Sequence, residues 1–138
     1  MTRRLSAGLL LAAIVVASGG CADARAPACA RGQLAMRTEW LYFGTATPQG
    51  AVSAEARRGF VDEVVTPRFP DGLTTWPASG QWKSASGATV PEASWVLNVV
   101  HRPDPASETA IAEIVDAYKQ RFRQESVLRV ASEVCVAF

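Results

Sequence analysis

The chain contains a single histidine, His101, which follows an apolar run of strand length and precedes Asp104 by three residues. A histidine oriented by a carboxylate is a common form of general base. Without a matched nucleophile, however, a lone histidine is more often structural. No His, Cys or Asp cluster has the spacing of zinc ligands. The sequence therefore leaves the catalytic residues unknown and predicts no metal site and no cofactor. His101 is kept as a secondary candidate for a functional-site residue.

A second candidate pair, Arg68 and Asp71, flanks Phe69-Pro70 in a predicted rigid turn. An arginine there could grip a carboxylate or a phosphate through two parallel hydrogen bonds. The structural alternative is that Arg68 pairs with an acid across the helix end while Asp71 fixes the turn through its own backbone. We favour the structural alternative and keep the pair as secondary candidates.

A third group combines polar side chains with an aromatic ring on exposed connections, which is the mixture that small-ligand sites use. The alternative is that the residues after the second predicted helix only cap it, helped by Arg121 and Arg123 near its negative end. The residue pattern does not separate the two interpretations. The ligand-binding candidates, for a ligand of unknown identity, are Gln81, Trp82, Gln124, Glu125 and Ser126.

The elements that must position these residues follow from hydrophobic periodicity and turn residues. The predicted order is a strand at 36–43, a helix from the N-cap Ser53 to Pro67, a strand at 73–82, a strand at 94–101, a helix capped by Ser107 that extends past Phe122, and one or two strands within 127–138. Pro77 makes the second strand an edge or bulged strand. The nearly continuous apolar run at 94–101 indicates a central strand.

This β-α-β-β-α-β order predicts an α+β two-layer sandwich of ferredoxin-like topology. Right-handed crossovers give an antiparallel four-stranded sheet in the order 4-1-3-2, with both helices on one face. Trp40 and Tyr42 lie on one side of the first strand, Leu41 and Phe43 on the other. The set that faces away from the helices is too apolar to leave in water, so we expect a homodimer or a bound partner there. The alternative is that the N-terminal segment folds across that face.

The N-terminus has the layout of a bacterial export signal, with Arg3 and Arg4, an apolar run at 9–16, and Gly19-Gly20-Cys21. We expect residues 1–20 to be a signal peptide, 21–36 a tether lipidated on Cys21, and 37–138 a single domain. The protein would then be exported to the cell envelope and anchored in a membrane by lipid, on its periplasmic or extracellular side. Ordinary cleavage after Ala22-Asp23-Ala24 is the alternative, and it would discard Cys21.

The cysteine content predicts a disulfide, and the charge content bears on nucleic-acid binding. In an oxidising compartment Cys29 and Cys135 are expected to form a structural disulfide. The formal charge of +1 becomes −1 (+1 − 2) once Arg3 and Arg4 are removed. A near-neutral chain without a basic run has no electrostatic footprint for nucleic acid.

Four sequence blocks resemble a small family of exported bacterial proteins, often lipoproteins, known only as a domain of unknown function. The blocks are Leu41-Tyr-Phe-Gly44, Thr66-Pro-Arg-Phe-Pro-Asp-Gly-Leu-Thr74, Gly80-Gln-Trp82, and Tyr118 through Gln124-Glu-Ser-Val-Leu-Arg129. The resemblance covers about residues 36–138 and implies export and a compact α+β domain. It implies no activity.

Together these features favour a non-enzymatic envelope lipoprotein with a binding or structural role, because no nucleophile–base pair or carboxylate pair is recognisable by spacing. The alternative is a small-molecule enzyme with a pocket on the open sheet face of a dimer.

Overall fold

The computed structural model of the protein describes residues 28–83 and 86–138. Its elements are β1 (Leu34–Gly44), β2 (Ala46–Thr47), β3 (Gly50–Ala51), α1 (Ala54–Phe60), a π-helical segment (Val61–Val65), β4 (Thr74–Lys83), β5 (Thr89–His101), α2 (Pro105–Phe122) and β6 (Leu128–Val136). The molecule is thus a mixed α/β protein. Its described residues contain two α-helices and a four-stranded antiparallel sheet, to which the β2–β3 hairpin is added.

The strands of the main sheet lie in the order β4-β5-β1-β6, which is the strand order predicted from the sequence. β5 and β1 are central, and β4, which contains Pro77, is an edge strand as that proline predicts. β5 pairs with β1 only from Ser94 onward but with β4 from Thr89. Residues 79–83 and 89–93 therefore extend beyond β1 as a two-stranded ribbon.

Both helices pack on one face of the sheet, where the apolar core lies. Side chains at odd-numbered positions of β1 and β5 meet α1, the π-helical segment and α2 in one buried cluster. Aromatic rings fill its centre, with Phe43 stacked on Trp95 at 4.4 Å between ring centroids and Tyr118 4.3 Å from Phe43. Other members of the core are Leu41, Phe60, Val65, Leu97, Val99, Ile111 and Ile114.

The helix starts follow local capping chemistry. Ser53 caps α1, as predicted, by accepting a hydrogen bond from the Ala56 N–H. The predicted cap of the second helix is wrong, because α2 begins at Pro105 with Asp104 as its N-cap. Asp104 accepts hydrogen bonds from the backbone and the hydroxyl of Ser107, and proline is well suited to the first helical position.

The disulfide between Cys29 and Cys135 is present, as predicted, and closes a separation of 106 residues. It ties the segment before β1 to the end of β6. β1 begins at Leu34, inside the segment that the sequence assigned to the tether, and β6 is one continuous strand. The predicted signal peptide, the lipidation site Cys21 and residues 84–85 lie outside the described residues.

Candidate functional site

The face of the sheet that points away from the helices holds most of the large apolar side chains that the described residues expose. The four strands pair so that all even-numbered strand residues share this face. We call these even-numbered residues of β1, β4, β5 and β6 the open face. Six of the seven large hydrophobic side chains that are exposed in the described residues belong to it, namely Leu34, Trp40, Trp82, Val90, Leu128 and Val130.

Aromatic packing gives the centre of the open face a fixed shape. Trp40 on β1 and Trp76 on β4 meet edge to face across β5, with ring centroids 5.7 Å apart. Val96, which lies opposite Trp76 in the strand register, is buried although it points away from the helices. Asn98 donates to the Thr38 hydroxyl and to the Glu39 carbonyl, which orders the polar groups beside the two indoles. The centre is therefore a preformed surface, since its side chains are already held by one another.

The open face carries almost no charge. Glu92 is the one ionisable acid or base at the even-numbered strand positions apart from the Tyr42 phenol. Its carboxylate lies at one end of the sheet, beside Gly44 and the side-chain amide of Gln124. The Trp40 residue is 39% exposed to solvent, and Leu128 is 60% exposed. An uncharged apolar patch of this kind is a typical site of protein association.

The opposite, helix-covered face contains an ion cluster built around one buried carboxylate. Glu39 on β1 is 0% exposed and accepts hydrogen bonds from Arg129 at 2.6 and 2.7 Å and from Arg37 at 2.8 Å. Glu108 at the start of α2 accepts a hydrogen bond from Arg129 at 2.7 Å and lies 3.1 Å from Arg37. Two carboxylates and two guanidinium groups thus balance each other in charge.

These contacts shift the pKa of the central carboxyl. Burial by itself would raise the pKa of Glu39, but the hydrogen bonds and positive charges of Arg129 and Arg37 outweigh burial and leave the pKa below its usual value. The hydrogen bond to Glu39 in turn raises the pKa of Arg129. Glu39 is therefore held as a carboxylate and cannot serve as a proton donor near neutral pH.

His101 is buried beside this cluster, with 5% of its surface exposed. Its Nδ1 donates to the Arg102 carbonyl at 2.6 Å, since a carbonyl oxygen can only accept. Its Nε2 has no hydrogen-bond partner in the described chain and lies 3.9 Å from the Glu39 carboxylate. The ring also contacts Phe69. His101 is thus enclosed by protein, which makes it poorly placed to act on a substrate.

Asp104 does not orient His101. Its carboxylate caps α2, and the hydrogen bond from the Ser107 backbone N–H is the main cause of its lowered pKa. Of the other two secondary candidates, Arg68 is held by local contacts. Arg68 donates to Glu113 at 3.0 Å and to the Val64 carbonyl, as the structural alternative predicts, and Asp71 is exposed in the following turn.

The five ligand-binding candidates are only partly brought together. The amide of Gln124 donates to the Ala46 carbonyl at 2.6 Å and to the Phe122 carbonyl, which joins the end of α2 to the β2–β3 hairpin. Glu125 and Ser126 follow it directly, before β6 begins. Gln81 and Trp82 are exposed on the projecting ribbon. Within residues 28–83 and 86–138, no hydrogen bond or ion pair links Gln81 or Trp82 to 124–126.

Sequence reasoning missed the cluster around Glu39. The signal was available in strand parity, because Glu39 and Arg37 occupy the same side of β1 as Leu41 and Phe43. A charge on the core side of a central strand requires a buried partner. The partner Arg129 comes from a strand 90 residues later, so only the sheet register identifies it.

Two other kinds of feature matter for the class of site, namely metal-binding side-chain groups and membrane-spanning helices. The described residues contain no group of three or more His, Cys, Asp or Glu side chains placed to hold a metal ion. None of the helices at 28–83 and 86–138 is long and apolar enough to cross a membrane.

The chain belongs to a family of proteins of unknown function, DUF3574, whose model matches residues 38–138. This confirms the family resemblance predicted from the sequence. No curated protein matches the chain. Among solved structures, a phage SAM lyase in complex with S-methyl-5′-thioadenosine is similar in fold, with a TM-score of 0.56, 11% identity, and 81% of this chain and 95% of that chain covered. A phage SAM lyase in the apo state gives a TM-score of 0.50 at 14% identity, covering 75% of this chain and 90% of that chain.

Proposed function

We propose that this protein is an exported envelope domain, anchored by lipid on Cys21, that associates with a second copy of itself through the open face. The proposal rests on where the exposed apolar side chains lie. Six of the seven exposed large hydrophobic side chains of the described residues share one side of one sheet. The fold supports it, since the strand order and the two helices on one face suit a ferredoxin-like sandwich, which leaves the other face free for contact.

A second copy fits this surface better than a membrane does. The even-numbered strand positions contain no lysine or arginine, so nothing on the open face would attract anionic lipid headgroups. The open face carries one charged side chain, Glu92 at one end of the sheet, so it meets its own copy with little repulsion. The area is also sufficient. Strands about 4.8 Å apart with a rise of about 3.3 Å per residue give a projected face of roughly 600 Å². Side-chain relief brings this close to the ~800 Å² per partner of a stable interface.

The proposal is tested on the chain from Ala22 onward, which contains the whole sheet, the core and the disulfide. Size-exclusion chromatography with light scattering should give a dimer at micromolar concentration. Leu128→Lys and Val130→Lys should each shift it to monomer, because each would bury an unpaired charge in the interface, with a loss of at least ~100-fold in affinity. Both side chains are exposed in the single chain, so monomer stability should not change.

Ala112→Lys is the matched control, since Ala112 is exposed on α2 and lies on the other side of the molecule. It should leave the dimer intact. A wild-type chain that remains monomeric at all concentrations, or a dimer that dissociates equally in the control variant, would reject the open face as the interface.

The second candidate function is a small-molecule enzyme, and the observation that favours it is the fold similarity to a phage SAM lyase. Fold similarity at 11% identity carries no residue roles. The test is direct: the purified protein is incubated with SAM and assayed for release of S-methyl-5′-thioadenosine. Release that Trp40→Ala abolishes would favour the enzyme, and no release would favour the association role.

A further inference from the structure

A groove runs between α1 and the edge strand β4 on the helix-covered side of the sheet. The helix layer leaves the helix-side residues of β4 uncovered, since Thr75, Pro77 and Ser79 are all exposed, whereas the next strand inward carries the buried Trp95. The result is a cavity of about 250 Å³, open to solvent, with Thr75, Pro77 and Trp95 among its lining residues. Its size is slightly below the ~300 Å³ at which pockets for drug-sized ligands begin, which suits a small ligand.

One stripe of α1 forms the wall of this groove. Ala54, Arg57, Arg58 and Val61 recur at spacings of three and four residues, and Asp62 follows them. At Val61 the α-helix passes into the π-helical segment, where the Thr66 N–H bonds to the Val61 carbonyl at 2.9 Å. π-Helical turns are rare, and many of them lie at functional sites.

The two wall arginines have unused hydrogen-bond donors. Arg57 makes one long hydrogen bond, from Nη1 to the Val52 carbonyl at 3.3 Å. In the described part of the chain no carboxylate oxygen lies within ion-pair distance of Arg57 or Arg58. Arg68 and Arg121, in contrast, each donate to a glutamate of a neighbouring element at 3.0 and 2.7 Å. Two guanidinium groups against Asp62 give the groove a net positive charge, with most of their N–H groups still available.

We propose that this groove binds a small organic anion, a carboxylate or a phosphate ester with a compact apolar body. The anionic group would be held by Arg57 and Arg58, which match carboxylate and phosphate geometry. The body would lie over the Pro77 ring and Val61, and the Thr75 hydroxyl would be available for one directional hydrogen bond. The groove opens on the helix side of the sheet, although Trp76, whose ring packs on Trp40 in the open face, also lines it. Anion binding does not require the proposed dimer.

The experiment titrates the wild-type chain, dimeric or monomeric, with phenyl phosphate, phenylacetate and the uncharged analogue 2-phenylethanol. NMR chemical shifts of the Thr75 amide and the Trp95 indole N–H report occupancy. Saturable shifts with a Kd of about 1 mM are expected for at least one anion, as suits a fragment of this size. The ratio of the two anion affinities distinguishes a phosphate site from a carboxylate site.

The double variant Arg57→Gln/Arg58→Gln should weaken anion binding at least ~10-fold, because charge-assisted hydrogen bonds are lost. Arg102→Gln, at an exposed arginine after β5, is the matched control and should bind like wild type. An unchanged melting temperature of the double variant separates lost binding from lost folding, and Arg57→Lys/Arg58→Lys, which retains the charge, should recover part of the affinity. Equal binding of 2-phenylethanol, undiminished binding by a folded double variant, or no saturable shift with either anion would overturn the proposal.

Discussion

Glu39 and Arg129 form a two-pronged ion pair between neighbouring strands, with the Arg129 Nε 2.7 Å from one carboxylate oxygen and its terminal nitrogen 2.6 Å from the other. The pair is diagonal in the β1–β6 register, where Glu39 is opposite Ala131 and Arg129 is opposite Leu41. The helix-side residues of β6 include no large apolar side chain. This corner of the helix–sheet interface is therefore held by ions, with Glu108 of α2 completing the contact.

Glu39→Gln should lower the free energy of unfolding by about 2 kcal/mol at neutral pH, because Arg129 and Arg37 lose their charge-assisted hydrogen bonds to the buried carboxylate. The arginines keep Glu108 as a partner and are partly exposed, so the loss stays below that of a fully buried, uncompensated charge. The lowered pKa of Glu39 means that its contribution is present above the ordinary carboxyl value of 4.5 and is lost as pH falls below it.

Urea unfolding from pH 7 down to pH 3 measures this difference. The gap between wild type and Glu39→Gln should narrow through the acid range, whereas Asp116→Asn, at an exposed position of α2, should follow the wild type throughout. A gap that is independent of pH would show that the carboxylate charge is not what stabilises this corner.

Reduction of the Cys29–Cys135 disulfide should destabilise the protein, since it frees a separation of 106 residues. Loop-closure entropy sets an upper bound of about 4–5 kcal/mol. Non-reducing peptide mapping should find the bond, and Cys29→Ser/Cys135→Ser should unfold at lower urea with or without reductant. Equal stability of the reduced and oxidised forms would contradict a stabilising role.

The layout of the fold was predictable because each element carries a local signal. The apolar run ending at His101, the stripe from Ile111 to Phe122 and the strand-breaking Pro77 each act within a few residues. Once the element order is known, handedness restricts the strand order to very few choices. The predicted start of α2 was wrong because Asp104 and Ser107 are both good N-cap residues. Pro105, which lies between them, favours Asp104 as the cap, since proline suits the first position of a helix.

The contacts within the sites were not predictable in the same way. Glu39 and Arg129 are brought together by strand register, and Trp40 and Trp76 by the insertion of β5 between their strands. The groove along α1 depends on how much of β4 the helix layer fails to cover, which no local pattern encodes. The open face was anticipated at Trp40 and Tyr42 because two-residue alternation is itself a local signal.

The N-terminal assignment stays a prediction, and mass analysis of the mature protein tests it. We expect a mature chain that begins at Cys21 and carries acyl groups, because Gly19 and Gly20 precede the cysteine where the apolar run ends. Cys21→Ser should accumulate as unprocessed precursor, while Cys29→Ser should be processed normally. A mature chain beginning at Arg25 would instead show ordinary signal cleavage and a protein released from the membrane.

Tyr118→Phe should lower the free energy of unfolding by about 1–3 kcal/mol, because it leaves buried polar groups without a partner. The phenol accepts a hydrogen bond from the Trp95 indole at 3.1 Å and donates to the Gly44 carbonyl at 2.8 Å, and a phenylalanine side chain can do neither. Burial also raises the pKa of Tyr118 to about 12 from its usual 10. Stability from the neutral phenol is therefore complete below pH 10 and is lost as pH rises toward 12.

Phenolate absorbance during alkaline titration should show a late ionisation step for Tyr118, at about pH 12 and near global unfolding. Tyr42→Phe is the matched control, because Tyr42 lies on the open face outside the buried aromatic cluster. It should leave the late ionisation step of Tyr118 in place. In Tyr118→Phe the late step should vanish, and alkaline destabilisation should be weaker than in the wild type. A Tyr118 phenol that titrates near the ordinary phenol pKa of about 10 in the folded protein would exclude the buried hydrogen-bonded chain from Trp95 through Tyr118 to Gly44.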